Sequence, residues 1–304
     1  MYQEHFGLRE APFTITPDTS FFFAHSSHRE ALNTLLVAVR SGEGFMKVVG
    51  EVGTGKTMLC RKFLSALEQD QCLTAYIPNP YVGPNTLLLA VADELGVSYP
   101  ERINQHQLLK LITAFLMEAG AERKRVVLCL DEAQAMPVET LEALRLLTNL
   151  ETERRKLLQV VLFGQPELDT KLNDRMIRQL KQRITFSCRL RPLSLADVDF
   201  YLAHRLTIAG YRGARLFTAE AVKRLHRASG GVPRLINILG HKALIATFGE
   251  GARRVTERHV RVAVDDTESV FPNPGLRRRL MRYFGLAASV AFVCASAVTW
   301  IRWP

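Results

Sequence analysis

Gly50-Glu51-Val52-Gly53-Thr54-Gly55-Lys56-Thr57 reads G-x-x-x-x-G-K-T, and the residues on either side of it decide the fold class. Phe45-Met46-Lys47-Val48-Val49 before it is a short apolar run, the pattern of a buried strand. Met58-Leu59-Cys60-Arg61-Lys62-Phe63-Leu64 after it reads as a helix. A glycine-rich loop between a strand and a helix N-terminus turns its backbone N–H groups inward and cradles phosphates. In such a loop Lys56 reaches the β and γ phosphates of a nucleotide, and the Thr57 hydroxyl holds Mg²⁺. The expected nucleotide-contacting residues are Gly50, Glu51, Val52, Gly53, Thr54, Gly55, Lys56, Thr57 and Met58, with Thr57 also a metal ligand.

Working outward, the pattern repeats. Cys72 to Ile77 reads as a second strand, ended by Pro78, and Val126-Val127-Leu128-Cys129-Leu130 as a third that is apolar on both faces. Leu157 to Phe163 and Ile184 to Leu190 read as a fourth and a fifth. Continuous apolar strands suit a parallel sheet covered on both sides. Helices are expected over His28 to Arg40, Pro84 to Leu95, Gln105 to Ala119 and Val138 to Leu150. Alternation of strand and helix predicts an α/β parallel sheet over residues 1–192. After Pro192 the pattern turns all-helical: Ser194 caps one helix with Asp197 three residues on, and others run near Thr218 to Ala228, Pro233 to Phe248 and Val255 to Val264. Residues 193–267 are therefore expected to form a small helical second domain.

Phe271-Pro272-Asn273-Pro274-Gly275 then reads as a linker within 268–282, a segment that also carries Arg277, Arg278, Arg279 and Arg282. Phe284 to Ile301 is uncharged for 18 residues. As a helix it would span about 27 Å, close to the ~30 Å of a bilayer's hydrocarbon. Tyr283, Trp300 and Trp303 flank it as interfacial aromatics do, and the arginines before it place the preceding domains in the cytoplasm. The expectation is a single transmembrane helix over 283–301. Its five alanines equally suit a buried C-terminal core helix. The N-terminus shows no signal-peptide pattern. The five cysteines form no C-x-x-C pair, which argues against a disulfide framework or a zinc site. A net charge of +10 suits an acidic partner, nucleic acid or an anionic lipid surface, and equally a solvated arginine-rich surface.

Asp131 and Glu132 follow the third strand directly. Carboxylates there face a ligand at the C-terminal edge of an open α/β sheet. Asp131 is expected to support Mg²⁺ and Glu132 to polarise the attacking water. Gln165, at the end of the fourth strand, suits water orientation or a γ-phosphate contact, and suits an ordinary turn as well. Arg178 and Arg183 are candidates for a charge donated to a neighbouring subunit's nucleotide, against a solvated basic helix face. In Gly230-Gly231-Val232-Pro233-Arg234 the glycines and proline fix a tight helix entry, and Arg234 is expected to lean from the helical domain onto the phosphates.

Together, Gly50–Thr57, Asp131-Glu132-Ala133-Gln134 and Gly231-Val232-Pro233-Arg234 resemble an AAA+ P-loop ATPase with its helical lid. Further motifs are similar to the ExeA/GspA-type secretion ATPases: Phe6-Gly7-Leu8 with Pro12-Phe13 and Pro17-Asp18, Leu144 through Glu151, Gly164-Gln165-Pro166-Glu167-Leu168, and Gln179 through Ile184. Within that family the resemblance is greatest to members serving mannose-sensitive haemagglutinin pilus biogenesis. It covers residues 1–267. It implies ATP and Mg²⁺ as ligands, ATP hydrolysis, a homo-oligomer (a hexameric ring being one arrangement) and inner-membrane pilus or secretion assembly proteins as partners. It also implies a single-pass place on the inner membrane with the ATPase domain in the cytoplasm. Family members continue past the membrane helix into a peptidoglycan-binding domain, whereas three residues follow Ile301 here. The rival expectation is a DNA-associated regulator resembling the TnsC/TniB transposition ATPases, which share this core and whose phosphate contacts the basic charge would suit.

Overall fold

The computed structural model describes residues 2–69, 72–147, 151–152 and 155–268. Among the described residues there are seven strands: β1 Phe45–Val49, β2 Leu73–Ile77, β3 Val126–Leu130, β4 Glu151–Thr152, β5 Arg155–Lys156, β6 Gln159–Gly164 and β7 Ile184–Arg189. Five of them form one parallel sheet in the order β2-β3-β6-β1-β7. β4 and β5 make a separate two-stranded antiparallel pair that the sequence reading did not foresee.

The third strand, expected to be apolar on both faces, is buried on both as β3. Every residue of β3 and β6 is buried. Side chains alternate between the two faces, as the period of two requires. Leu128, Leu130, Val160 and Leu162 join Leu87, Leu108, Ile112 and Leu141 in one core, beneath helices Pro84–Leu95, Gln105–Ala121 and Val138–Leu147. Val127, Cys129, Val161 and Phe163 join Leu35, Val39, Leu59 and Phe63 in the other, beneath helices Ser26–Arg40 and Lys56–Gln69. The edge strand β7 alternates half-buried and exposed positions.

The helical domain has the expected elements: Leu195–Ile208, Ala219–Ser229, Pro233–Gly249 and Glu257–Asp265. Ser194 and Asp197 form the reciprocal cap that their spacing indicates. The first residues of the chain depart from expectation. They were assigned with the sheet, but Phe6, Leu8, Phe13 and Phe21 are buried among Leu202, Leu206, Phe217, Leu225 and Leu239 of the helical core. Aromatics in a segment whose only regular structure is the short helix Tyr2–Phe6 and the 3-10 turn Thr19–Phe21 gain most where an open helical cluster offers area to cover. Polar bonds fix the strap. Arg205 donates to the carbonyls of Pro12 and Thr14 and lies 4.4 Å from the Phe21 ring centroid. Asn237 donates to the same Thr14 oxygen at 3.1 Å, and Tyr201 to Asn237 at 2.8 Å.

The expected linker beyond Glu268 and the span over 283–301 lie outside the described residues. Among the described residues no helix is long and apolar enough to cross a membrane.

Candidate functional site

β1 delivers the chain into the Gly50–Thr57 loop, and helix Lys56–Gln69 opens at its end. The loop closes on itself: Thr54 donates from its backbone N to the Glu51 carbonyl at 3.2 Å and from its hydroxyl at 2.7 Å. The buried Lys56 Nζ donates to the carbonyls of Gly50 and Glu51 at 2.8 and 3.1 Å. Burial pulls its pKa below the ordinary lysine value against the raising pull of Glu132 and Asp131.

Across the sheet, β3 ends at Leu130 and Asp131 follows it directly. Its Oδ2 accepts the Thr57 hydroxyl at 2.6 Å and the Tyr76 hydroxyl at 3.5 Å, and its Oδ1 accepts the Glu132 N–H at 3.0 Å. Burial raises the Asp131 carboxyl above the usual range, opposed by the Thr57 and Glu132 hydrogen bonds. Glu132 has φ 52° and ψ 36°, a left-handed conformation that costs a non-glycine residue on the order of 1–2 kcal/mol. Its Oε2 accepts from Gln134 Nε2 at 2.5 Å and from Gln165 Nε2 at 3.1 Å. Burial pushes this carboxyl up, but the two amides and the Lys56 charge outweigh it and hold the pKa below the ordinary value.

The helical domain meets the loop at its tip. Arg234 donates from its backbone N to the Gly53 carbonyl at 3.2 Å. Gly53 has φ 80°, and a Cβ there would stand 2.6 Å from Arg234 Cβ, so only glycine lets the two backbones approach. The Arg234 side chain lines a cavity of about 360 Å³ together with Val52–Met58, Glu132 and His28. That cavity continues between the strap (Thr14–Asp18 and Phe21–Phe23) and the lid residues Leu193, Tyr201 and Asn237.

The arrangement thus brings together Lys56, Thr57, Asp131, Glu132, Gln165 and Arg234. Arg178 and Arg183 lie apart, on the short helix Arg178–Arg183, and neither lines the cavity. Arg183 is half-buried and donates to the Arg145 carbonyl at 3.3 Å, while Arg178 points into solvent. Sequence reasoning missed Gln134 as a site residue, along with Tyr76, His28 and the strap. His28 left a periodic signal, since it precedes Ala31 and Leu35 by three and seven residues on a helical stripe, whereas Gln134 and the strap were marked only by the motifs that carry the resemblance.

The donor set fits a Mg²⁺-nucleotide. A hydroxyl and a carboxylate 2.6 Å apart offer hard oxygen ligands, and a closed loop with an internal lysine and an adjoining arginine offers cations for phosphates.

Residues 39–172 match the family model of an AAA domain. The chain has the P-loop AAA+ fold. It is 41% identical over 303 residues to General secretion pathway protein A of Aeromonas hydrophila, an alignment that takes in 100% of this chain and 54% of that protein. The chain therefore spans about half the length of the curated relative it matches. Among solved structures it is similar to Cdc6p of Pyrobaculum aerophilum (TM-score 0.64, 20% identity, 81% of this chain and 70% of that one). It is also similar to the ORC2 protein of Aeropyrum pernix in ADPNP-ADP complexes (TM-score 0.61, 18% identity, 84% and 72%). The RuvB branch migration motor of Thermotoga maritima aligns at TM-score 0.54 and 15% identity, over 79% and 68%. At these identities the likeness is one of fold alone.

Proposed function

We propose that the chain is a membrane-anchored AAA+ ATPase that couples Mg²⁺-dependent ATP binding and hydrolysis to the assembly of a type II secretion or type IV pilus apparatus. The observation that carries the hydrolytic reading is the meeting of Lys56 and Thr57 with Asp131 and Glu132 at one edge of the sheet. Lys56 and Arg234 would bind the phosphates, with the loop N–H groups and the N-terminus of helix Lys56–Gln69 adding to their pull. Thr57 and Asp131 would hold Mg²⁺, which supplies charge neutralisation between the β and γ phosphates. Glu132 would take the proton of the attacking water while Gln165 orients that water.

The 41% identity over the whole chain to a general secretion pathway protein supports work on a secretion assembly. The finer reading is a role in mannose-sensitive haemagglutinin pilus assembly like that of MshM, with residues 283–301 crossing the inner membrane and the ATPase domain on its cytoplasmic side. It rests on the motif resemblance and on the apolar C-terminal run. The exposure of Arg178 and its absence from the lining of its own cavity support a homo-oligomer in which it reaches a neighbour's nucleotide.

A second reading, a DNA-associated regulator, is favoured by Lys223, Arg224 and Arg227 on helix Ala219–Ser229, which have no acidic partner among the described residues. Fractionation with salt washes separates the two. The first reading expects full-length protein in the membrane fraction after high salt. Wholly soluble protein with salt-sensitive duplex DNA binding would replace it with the second. Lys56→Ala is expected to weaken ATP affinity at least about tenfold by titration calorimetry, and unchanged affinity would remove the nucleotide assignment.

A further inference from the structure

Gln134 is used by nothing in the mechanism above, yet its side chain is bound at both ends. Its Nε2 donates to Glu132 Oε2 at 2.5 Å, and its Oε1 accepts the backbone N–H of Gln165 at 3.0 Å. Its backbone is held as well. Lys171 Nζ donates at 2.6 Å to the carbonyls of both Gln134 and Met136. The amide therefore spans from Glu132, two residues after β3, to Gln165, the residue after β6. Gln165 completes a small ring by donating from its own side chain to Glu132 Oε2 at 3.1 Å.

We propose that Gln134 is the positioning residue for Glu132: by tying the carboxylate to the end of β6 it fixes the rotamer in which Oε1 is left to take the proton of the attacking water. The proposal rests on the reading of Glu132 as the general base. Three features support it. Both amide donors converge on one oxygen, Oε2, while no protein donor reaches Oε1 among the described residues. Glu132 sits in a strained backbone conformation, which persists only where its surroundings over-determine it. Finally, glutamine suits the bracket where its nearest analogues do not. It must donate at one end and accept at the other, with a reach that asparagine lacks by one methylene. A glutamate would set a carboxylate against a carboxylate.

The test measures phosphate release from Mg-ATP by the full chain, with ATP affinity measured alongside. Its variants are Gln134→Leu, Gln134→Asn, Glu132→Gln and the double variant Glu132→Gln/Gln134→Leu. Loss of orientation alone costs on the order of 10–100-fold. Gln134→Leu is expected to lower kcat by about that factor while KM and ATP affinity stay within about twofold. In the Glu132→Gln background the same change is expected to add nothing, because the oriented base is already gone. Gln134→Asn keeps the amide chemistry without the reach and is expected to be slow as well, so it decides the matter if the leucine variant does not bind ATP. Wild-type kcat in Gln134→Leu or Gln134→Asn overturns the proposal, as does a loss that appears only in KM. If Glu132→Gln is slow and the Gln134 variants are not, the proposal alone fails. If Glu132→Gln turns over like the wild type, the base assignment fails and takes the proposal with it.

Discussion

His28 is 5% exposed and donates from Nε2 to the Thr54 carbonyl at 2.9 Å. A carbonyl only accepts, so Nε2 carries the proton, and the buried Nδ1 has no hydrogen-bond partner among the described residues. Burial, with a smaller push from His25, drives its pKa down to about 4. The folded state thus keeps the ring neutral, whereas the unfolded chain protonates it near pH 6.5. The sign follows: stability is fully present above pH 6.5 and drains as pH falls towards 4, by about 3 kcal/mol for the full shift. His28→Gln keeps a donor to Thr54 and removes the titration. Thermal melts at pH 7 and pH 4.5 are expected to show a smaller acid-side loss of Tm in that variant than in the wild type. An equal loss in both would mean that His28 is not an acid-sensitive post of the loop. At this scale the sequence was legible wherever the chemistry is local, as in Lys56-Thr57 and Asp131-Glu132. It was silent on the Gln134–Gln165 bond, which joins positions 31 residues apart through a register that only the folded sheet sets.

Among the elements, strands and helices were readable because burial on both faces leaves continuous apolar runs in β3 and β6. The pair β4–β5 was not, since two-residue strands carry no period. The entry into the helical domain turns on glycine. Gly231 has φ 77°, and a Cβ there would lie 2.1 Å from the Leu193 carbonyl oxygen, a backbone atom that cannot swing aside. The N–H of Leu193 in turn donates to the Gly231 carbonyl at 2.8 Å. Gly231→Ala is expected to cost roughly 2–4 kcal/mol in denaturant unfolding, from the left-handed backbone plus the clash. A loss within 0.5 kcal/mol, the ordinary size for a surface change, would show that this contact is not tight in solution.

In the whole molecule, the phosphate loop sits on the sheet domain, while the far walls of the cavity, the strap and the helical core, are bonded to each other through Arg205 and Asn237. A nucleotide in that cavity would touch both bodies, so loss of its γ phosphate could change the angle between them. The strap's place was hidden from sequence because its partners lie 191 and 223 residues away. The exposed Arg178 belongs to this scale too. If it completes a neighbour's site, turnover per subunit rises with protein concentration. Arg178→Ala is expected to flatten that rise and to slow turnover on the order of 10³-fold at saturation. A concentration-independent rate in the wild type would leave Arg178 as a solvated surface residue.

Whether these converging side chains form the proposed hydrolytic site is read from single-turnover hydrolysis of Mg-ATP by the wild type and by Glu132→Gln. Both proteins are expected to bind ATP alike, and the variant to hydrolyse it slower by about 10²–10⁴-fold. Equal rates in the two proteins, or no hydrolysis by the wild type, would contradict that expectation.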